Sequence, residues 1–239
     1  HDGDLMLDFS RIHMSLDKGR AFGINPKLSG TKTKTVDRIL NADIYKKKEV
    51  RDNFNELTLK FKGNYRIVFR AYNEGIAYRF ESDIKGDIIV ENELSEFNFL
   101  HDAKAYIPYV RDNVATLESQ FGNPFENIYK YENISQWDTS RIAFLPLLVE
   151  GRNGKKLCIL EADLLNYPGM YLYNGDGSNT LKSVFAPYPK EVEQGGYLNL
   201  QGLVKSREPY IAKVSGVTSF PWRIMVVSEN DKELADNDM

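Results

Sequence analysis

The chain has 239 residues, 42% of them hydrophobic and 27% charged, with a formal net charge of −3. That length suits one large domain, and the absence of a basic excess argues against nucleic acid as a partner. No apolar run approaches the ~20 residues of a membrane-spanning helix, and Cys158, the single cysteine, excludes an internal disulfide.

The chain starts at His1 with no secretory leader in view, so its start reads as trimmed. Ile12, Met14 and Leu16 alternate with polar residues, which predicts an early half-buried strand. Asn25-Pro26 and Ser29-Gly30 are turn signals. Thr31 to Thr35 alternates Thr and Lys and fits an edge, where lysine discourages pairing with other chains. The run Lys46-Lys47-Lys48, followed by Glu49, reads as a solvated edge or loop.

From Val50 the alternation is stronger. Leu57, Leu59 and Phe61 face one way, Gly63-Asn64 turns the chain, and Arg66 to Tyr72 returns as a strand. Asn73-Glu74-Gly75 makes the next turn, with Asn73 and Gly75 suited to positive φ. Ile76, Tyr78 and Phe80 then resume the period of 2, giving an antiparallel meander with one buried face. Ile88 to Val90 is another short strand, and Glu93 to Gln136 mixes scattered aromatics with Asn, Asp and Pro, which fits short strands and loops.

Ile142 to Glu150 and Lys155 to Asp163 flank Asn153-Gly154, a hairpin signal. Further strands are expected at Leu181 to Phe185, Tyr197 to Val204, Tyr210 to Val214 and Trp222 to Val227. Many short strands with frequent turns, and no sustained 3.6-residue period, predict an all-β fold built as a large antiparallel sandwich. Ser228 to Met239, charged and small, reads as an exit toward another domain.

Chemistry is best sought between Leu157 and Leu172. Leu157 to Leu160 is apolar on both faces, as in a buried strand, and makes Cys158 a packing residue. Leu157, Ile159, Glu161 and Asp163 share a face that turns acidic where the strand runs into Asn166-Tyr167-Pro168-Gly169. A carboxylate at such a rim is exposed, paired or bound to a cation. Two strand rises separate same-face neighbours by ~6.5–7 Å, near the spacing of an inverting glycosidase pair. Side chains that point the same way cannot flank a sugar, however. Calcium suits carboxylates better but takes ~6–8 oxygens, so this strand end would be one part of a shared site. His1, His13 and His101 show no ligand spacing, and no phosphate loop, dinucleotide motif or HExxH is present.

Five stretches, EVRDNFNELTLKF, IVFRAYNEGIAYRF, IVENELSEFNF, LEADLLNYPGMYL and SFPWRIMV, taken in this order, resemble the N-terminal domain of glycoside hydrolase family 97. The resemblance runs with gaps from Val50 to Val227. It implies a galactose-mutarotase-like β-super-sandwich over residues 1–228 and an exit segment over 229–239 toward a catalytic (β/α)8 barrel. It also implies a bacterial, periplasmic or secreted α-glucosidase or α-galactosidase acting on α-linked oligosaccharides, whose catalytic carboxylates lie in the barrel. Calcium is the implied cofactor, and the one glutamate that the sandwich donates to it maps onto Glu161. Two departures from the family pattern stand out: Asn41 to Lys48 lacks an expected Trp, and the start of the sandwich reads as shortened, with a first strand missing. Arg223 is expected to pair with a carboxylate or an interdomain surface.

Two other functions compete with this reading. A stand-alone carbohydrate-binding module would use rim aromatics such as Tyr167, Tyr171 or Trp137. An aldose-epimerase-like enzyme would need a positioned acid and base, for which the isolated histidines are poor material.

Overall fold

The computed structural model describes residues 1, 3–110, 116–122 and 125–239, so part of the loop-rich stretch expected between Glu93 and Gln136 lies outside the described residues. The strands are β1 (Ile12–Leu16), β2 (Ala21–Phe22), β3 (Leu28–Asn41), β4 (Glu49–Phe61), β5 (Tyr65–Tyr72), β6 (Gly75–Asn98), β7 (Lys104–Ile107) and β8 (Lys130–Asn133). They continue as β9 (Leu147–Glu150), β10 (Lys156–Ala162), β11 (Met170–Tyr173), β12 (Thr180–Phe185), β13 (Pro189–Gly195), β14 (Gln201–Arg207), β15 (Ala212–Ser219) and β16 (Trp222–Ser228). One short helix, α1 (Asp231–Asp236), follows. All pairings are antiparallel, and the expected all-β sandwich is the fold found.

Strands β3-β4-β5-β6-β16-β10-β9-β7-β8 form one continuous path, with β1, β2, β11, β12 and β15 attached to it. Sequence alternation suggested two separate strands at Ile76–Glu81 and Ile88–Val90; the structure joins them into the 24-residue β6. That strand folds the sheet upon itself. Its first half pairs with β5 and β16, and its second half with β1 and β12. The two halves face each other across the core, because the Tyr78 hydroxyl donates to Ser95 Oγ at 2.8 Å. Strand β15 follows β6 around the bend and shifts register at Gly216. A Cβ on Gly216 would lie 2.3 Å from the carbonyl oxygens of Gly86 and Ile84, so the bend requires glycine there.

The core lies between the folded layers. Phe22 stacks on Tyr65 at 4.5 Å, and Phe80, Phe97, Ile88, Leu147 and Ile159 are buried around them. The expected edge at Thr31–Thr35 is found in β3, which pairs with β4 alone. Leu57 departs from expectation: it is more than a third exposed, although it is paired on both sides within the sheet.

Asn153 and Gly154 both take positive φ in the β9–β10 turn, as their types predicted. Gly75 also has positive φ, and space matters there as well, since an added Cβ would lie 2.2 Å from Met225 O. Asn73, read as a positive-φ turn former, is not among the positive-φ residues.

One segment differs more strongly from the sequence reading. Tyr197–Val204 was expected to be one strand, but Tyr197–Asn199 is the turn joining β13 to β14, a separate two-stranded hairpin. Lys46 and Lys47 lie in the exposed loop between β3 and β4, as read, and from there also hold the last residues of the chain. Lys47 Nζ lies 2.6 Å from Asp238 Oδ2 and 3.1 Å from Asp236 Oδ1, and Lys46 Nζ donates to Ala235 O and Asn237 O. Leu234 and Met239 pack on Ile224 and Val226.

Candidate functional site

The candidate site sits where β10 ends beside the start of β16. Antiparallel register places Glu161 directly opposite Arg223, and Arg223 in turn opposite Tyr78 on β6. Trp222 and Ile224 face the outer layer, so period 2 sends the Arg223 side chain into the core. A guanidinium buried there must be paired and hydrogen-bonded.

Glu93, on the far half of β6, provides most of that pairing. Arg223 Nε donates to Glu93 Oε1 at 2.8 Å and Nη2 donates to Oε2 at 2.9 Å, a fork-on-fork bond. The Tyr167 hydroxyl adds a bond to Glu93 Oε2 at 2.8 Å, and Ser95 Oγ adds a longer one to Oε1. Arg223 Nη1 then reaches Glu161 Oε2 at 2.5 Å. The Met170 N–H donates to both oxygens of Glu161, at 2.9 Å to Oε1 and 3.1 Å to Oε2. Gly169 allows that approach, because a Cβ there would lie 3.3 Å from Glu161 Oε1.

Of the three states open to a rim carboxylate, Glu161 is paired, and it is largely withdrawn from solvent. Its side chain is 10% exposed, against 3% for Glu93 and 1% for Arg223. Two carboxylates share one guanidinium, which leaves the cluster with an excess negative charge. Burial pushes the Glu161 carboxyl above the usual glutamate range, with Arg223 and the Met170 amide opposing the shift and Glu93 adding to it. The same two carboxylates overcome burial to hold the Arg223 guanidinium more firmly protonated than a free arginine. Burial, then the Glu93 charge, raises the Tyr167 hydroxyl well above its ordinary value.

Asp163 does not share the face of Glu161. Strand β10 ends at Ala162, and Asp163 turns away with φ of 63°, exposed, with Arg79 Nη1 at 3.4 Å. Period 2 failed there because the strand had already stopped. Arg79 and Arg70 lie over the Trp222 ring at 4.4 and 4.5 Å, which partly withdraws that indole from solvent. Tyr167, Tyr171 and Trp137, candidates for a sugar platform, are all buried in the core. They seal the sandwich.

Sequence reasoning singled out Glu161 and Arg223, took Tyr167 for a rim aromatic rather than a partner of the cluster, and missed Glu93. The one signal for Glu93 was its place two before Ser95 and four before Phe97 on a single strand face. Nothing local linked it to an arginine 130 positions away. Among the described residues, no three His, Cys, Asp or Glu side chains converge to hold a metal. Among the described residues, Glu161 Oε1 accepts from the Met170 N–H and Arg223 pairs with Oε2.

A model of the glycosyl-hydrolase 97 N-terminal family matches residues 1–239. A retaining α-galactosidase from Bacteroides thetaiotaomicron is 47% identical over 235 residues, covering 98% of this chain and 36% of that protein. The chain thus spans about a third of the length of that relative. Among solved structures, a family 97 glycoside hydrolase in complex with panose, from Pseudoalteromonas sp. strain K8, superposes with a TM-score of 0.76 at 19% identity. That match covers 99% of this chain and 33% of the other. A β-arabinopyranosidase superposes with a TM-score of 0.74 at 19% identity, covering 96% of this chain and 36% of the other.

Proposed function

Because the chain belongs to the glycosyl-hydrolase 97 N-terminal family, we propose that it is the non-catalytic sandwich of a calcium-dependent α-glycoside hydrolase. In this reading it packs on a catalytic barrel of the same polypeptide and lends Glu161 to a calcium ion at the active site. The substrate is an α-linked oligosaccharide, with a galactoside favoured by the 47% identity to a retaining α-galactosidase. The parent protein is periplasmic or secreted, and a secretory leader encoded upstream of His1 is the expected finding.

The observation that carries the proposal is the charge imbalance. Glu93 already occupies the Nε–Nη2 edge of the Arg223 guanidinium, so the largely buried Glu161, when ionised, brings negative charge in excess of the one arginine, which an outside cation would match. Calcium fits that need chemically, since it takes carboxylate oxygens, and this chain would fill one of its ~6–8 positions. Bound calcium supplies orientation of the sugar and stabilisation of developing charge.

The test is calcium titration of the full-length protein. Glu161→Gln keeps the shape and one carbonyl oxygen while removing the charge. Calcium affinity should fall by about tenfold or more, equivalent to ~1.4 kcal/mol, and turnover should fall with it. Asp163→Asn, which loses only a contact with Arg79, should change affinity far less. Unchanged calcium affinity in Glu161→Gln would overturn the proposal.

A further inference from the structure

The mechanism proposed above uses Glu161 and leaves three polar groups behind it unexplained: Arg223, Glu93 and Tyr167. An arginine pressed against a would-be calcium ligand is a problem in itself. A guanidinium free to take both oxygens of Glu161 would cancel its charge and occupy its lone pairs.

The structure prevents this by dividing the guanidinium between two carboxylates. Its Nε–Nη2 edge goes to Glu93, at 2.8 and 2.9 Å, which leaves Nη1 for Glu161. Arg223 thus fixes Oε2 of Glu161 at one point, the Met170 N–H fixes the carboxylate plane, and Oε1 receives no cationic partner among the described residues. Tyr167 Oη on Glu93 Oε2, and Ser183 Oγ on the Glu93 carbonyl at 3.0 Å, hold Glu93 in register with the fork. The Phe185 ring, 5.1 Å from the guanidinium, closes the remaining side.

We infer that Glu93 and Arg223 are positioning residues for Glu161: Glu93 neutralises the guanidinium so that Arg223 orients the Glu161 carboxylate without cancelling its charge. This inference rests on the reading of Glu161 as a calcium ligand. It adds that the ligand's strength is set by a glutamate on another strand, which never touches the ion.

A purely structural role for Glu93 makes a different prediction. If shape and packing were all that mattered, the isosteric Glu93→Gln would be mild and the shorter Glu93→Asp severe. If charge division matters, the order reverses, because Gln frees the guanidinium to collapse onto Glu161 whereas Asp keeps a negative partner for it.

The experiment is calorimetric calcium titration of the full-length protein after chelation, with thermal melting measured on each variant. Expected results are a roughly tenfold weaker calcium Kd for Glu93→Gln, a smaller loss for Glu93→Asp, and a melting temperature order that does not follow the Kd order. Should Glu93→Gln not accumulate as folded protein, Tyr167→Phe keeps the ring and removes only the bond to Glu93, and it should weaken calcium binding by about twofold to threefold. Calcium affinity unchanged in Glu93→Gln or, failing that variant, in Tyr167→Phe, while Glu161→Gln loses it, would overturn the positioning role and leave the ligand reading standing. Unchanged affinity in Glu161→Gln would overturn both.

Discussion

Glu161 and Arg223 are direct cross-strand neighbours on β10 and β16, joined at 2.5 Å, although 62 residues separate them in the chain. Arg223 also reaches across the core to Glu93, so the same side chain ties the candidate site to the fold. Replacing it should therefore damage stability first. Arg223→Met leaves Glu93 buried without its cation, and one-sided loss of a buried pair costs about 3–5 kcal/mol. Denaturant unfolding of this chain should show that loss, and Arg223→Met with Glu93→Gln should recover part of it. A single variant as stable as wild type would mean that the buried pair contributes nothing.

Acid stability should depend on Glu96. The Arg11 side chain hydrogen-bonds its carboxylate at 2.8 and 2.6 Å and holds it below the usual glutamate range, with burial opposing. A lowered folded pKa gives stability that is present above the unfolded value and lost as pH falls through the folded one. Glu96→Gln should flatten the decline below the ordinary value of 4.5. Glu161 has the opposite sign: its raised pKa favours the folded state at low pH and gives that advantage up as pH rises. Stability curves for Glu161→Gln should approach or exceed wild type as pH rises from 4.5. Parallel curves for wild type and variants would contradict both assignments.

Cys158 gives a check on the β10 register. It faces the cluster of Ala77, Ile224 and Val226, and burial pushes its thiol up to about 11. Native protein should react slowly with a thiol reagent near neutral pH and quickly once unfolded. Fast native labelling would place the strand wrongly.

The β13–β14 hairpin should be the least protected regular element. It forms its own two-stranded sheet, and Val192, Tyr197, Leu198 and Leu200 are exposed along it. Two strands without a third are marginal in water. Hydrogen exchange in this chain should be far faster there than in the first half of β6, which is paired on both sides. Equal protection would show that the hairpin is stabilised by something other than its own pairing.

Much of the fold was legible from alternation, because a buried face imposes period 2 wherever it lies over the core. β5, β12 and β16 lie close to where the pattern put them. Legibility failed where the chain bends or leaves the core. The second half of β6 alternates weakly between Val90 and Glu93 because it changes neighbours there, and β13 has no buried face at all. Glu161 was visible as an acidic residue ending an apolar strand. Its burial was not, since that depends on Arg223 opposite and Glu93 beyond, contacts that only the folded sheet creates. Asp163 misled for a local reason: its positive φ turns it off the strand face.

The proposed role of Glu161 is that of a calcium ligand completed by a domain outside this chain. Its test is a crystal structure of the full-length protein grown with calcium, with anomalous scattering to identify the ion. Calcium is expected within ~2.3–2.6 Å of a Glu161 oxygen, with Arg223 still forked onto Glu93, and no ordered calcium at Glu161 in this chain alone. An ion in the active site that Glu161 does not touch, or Glu161 turned wholly onto Arg223, would contradict it.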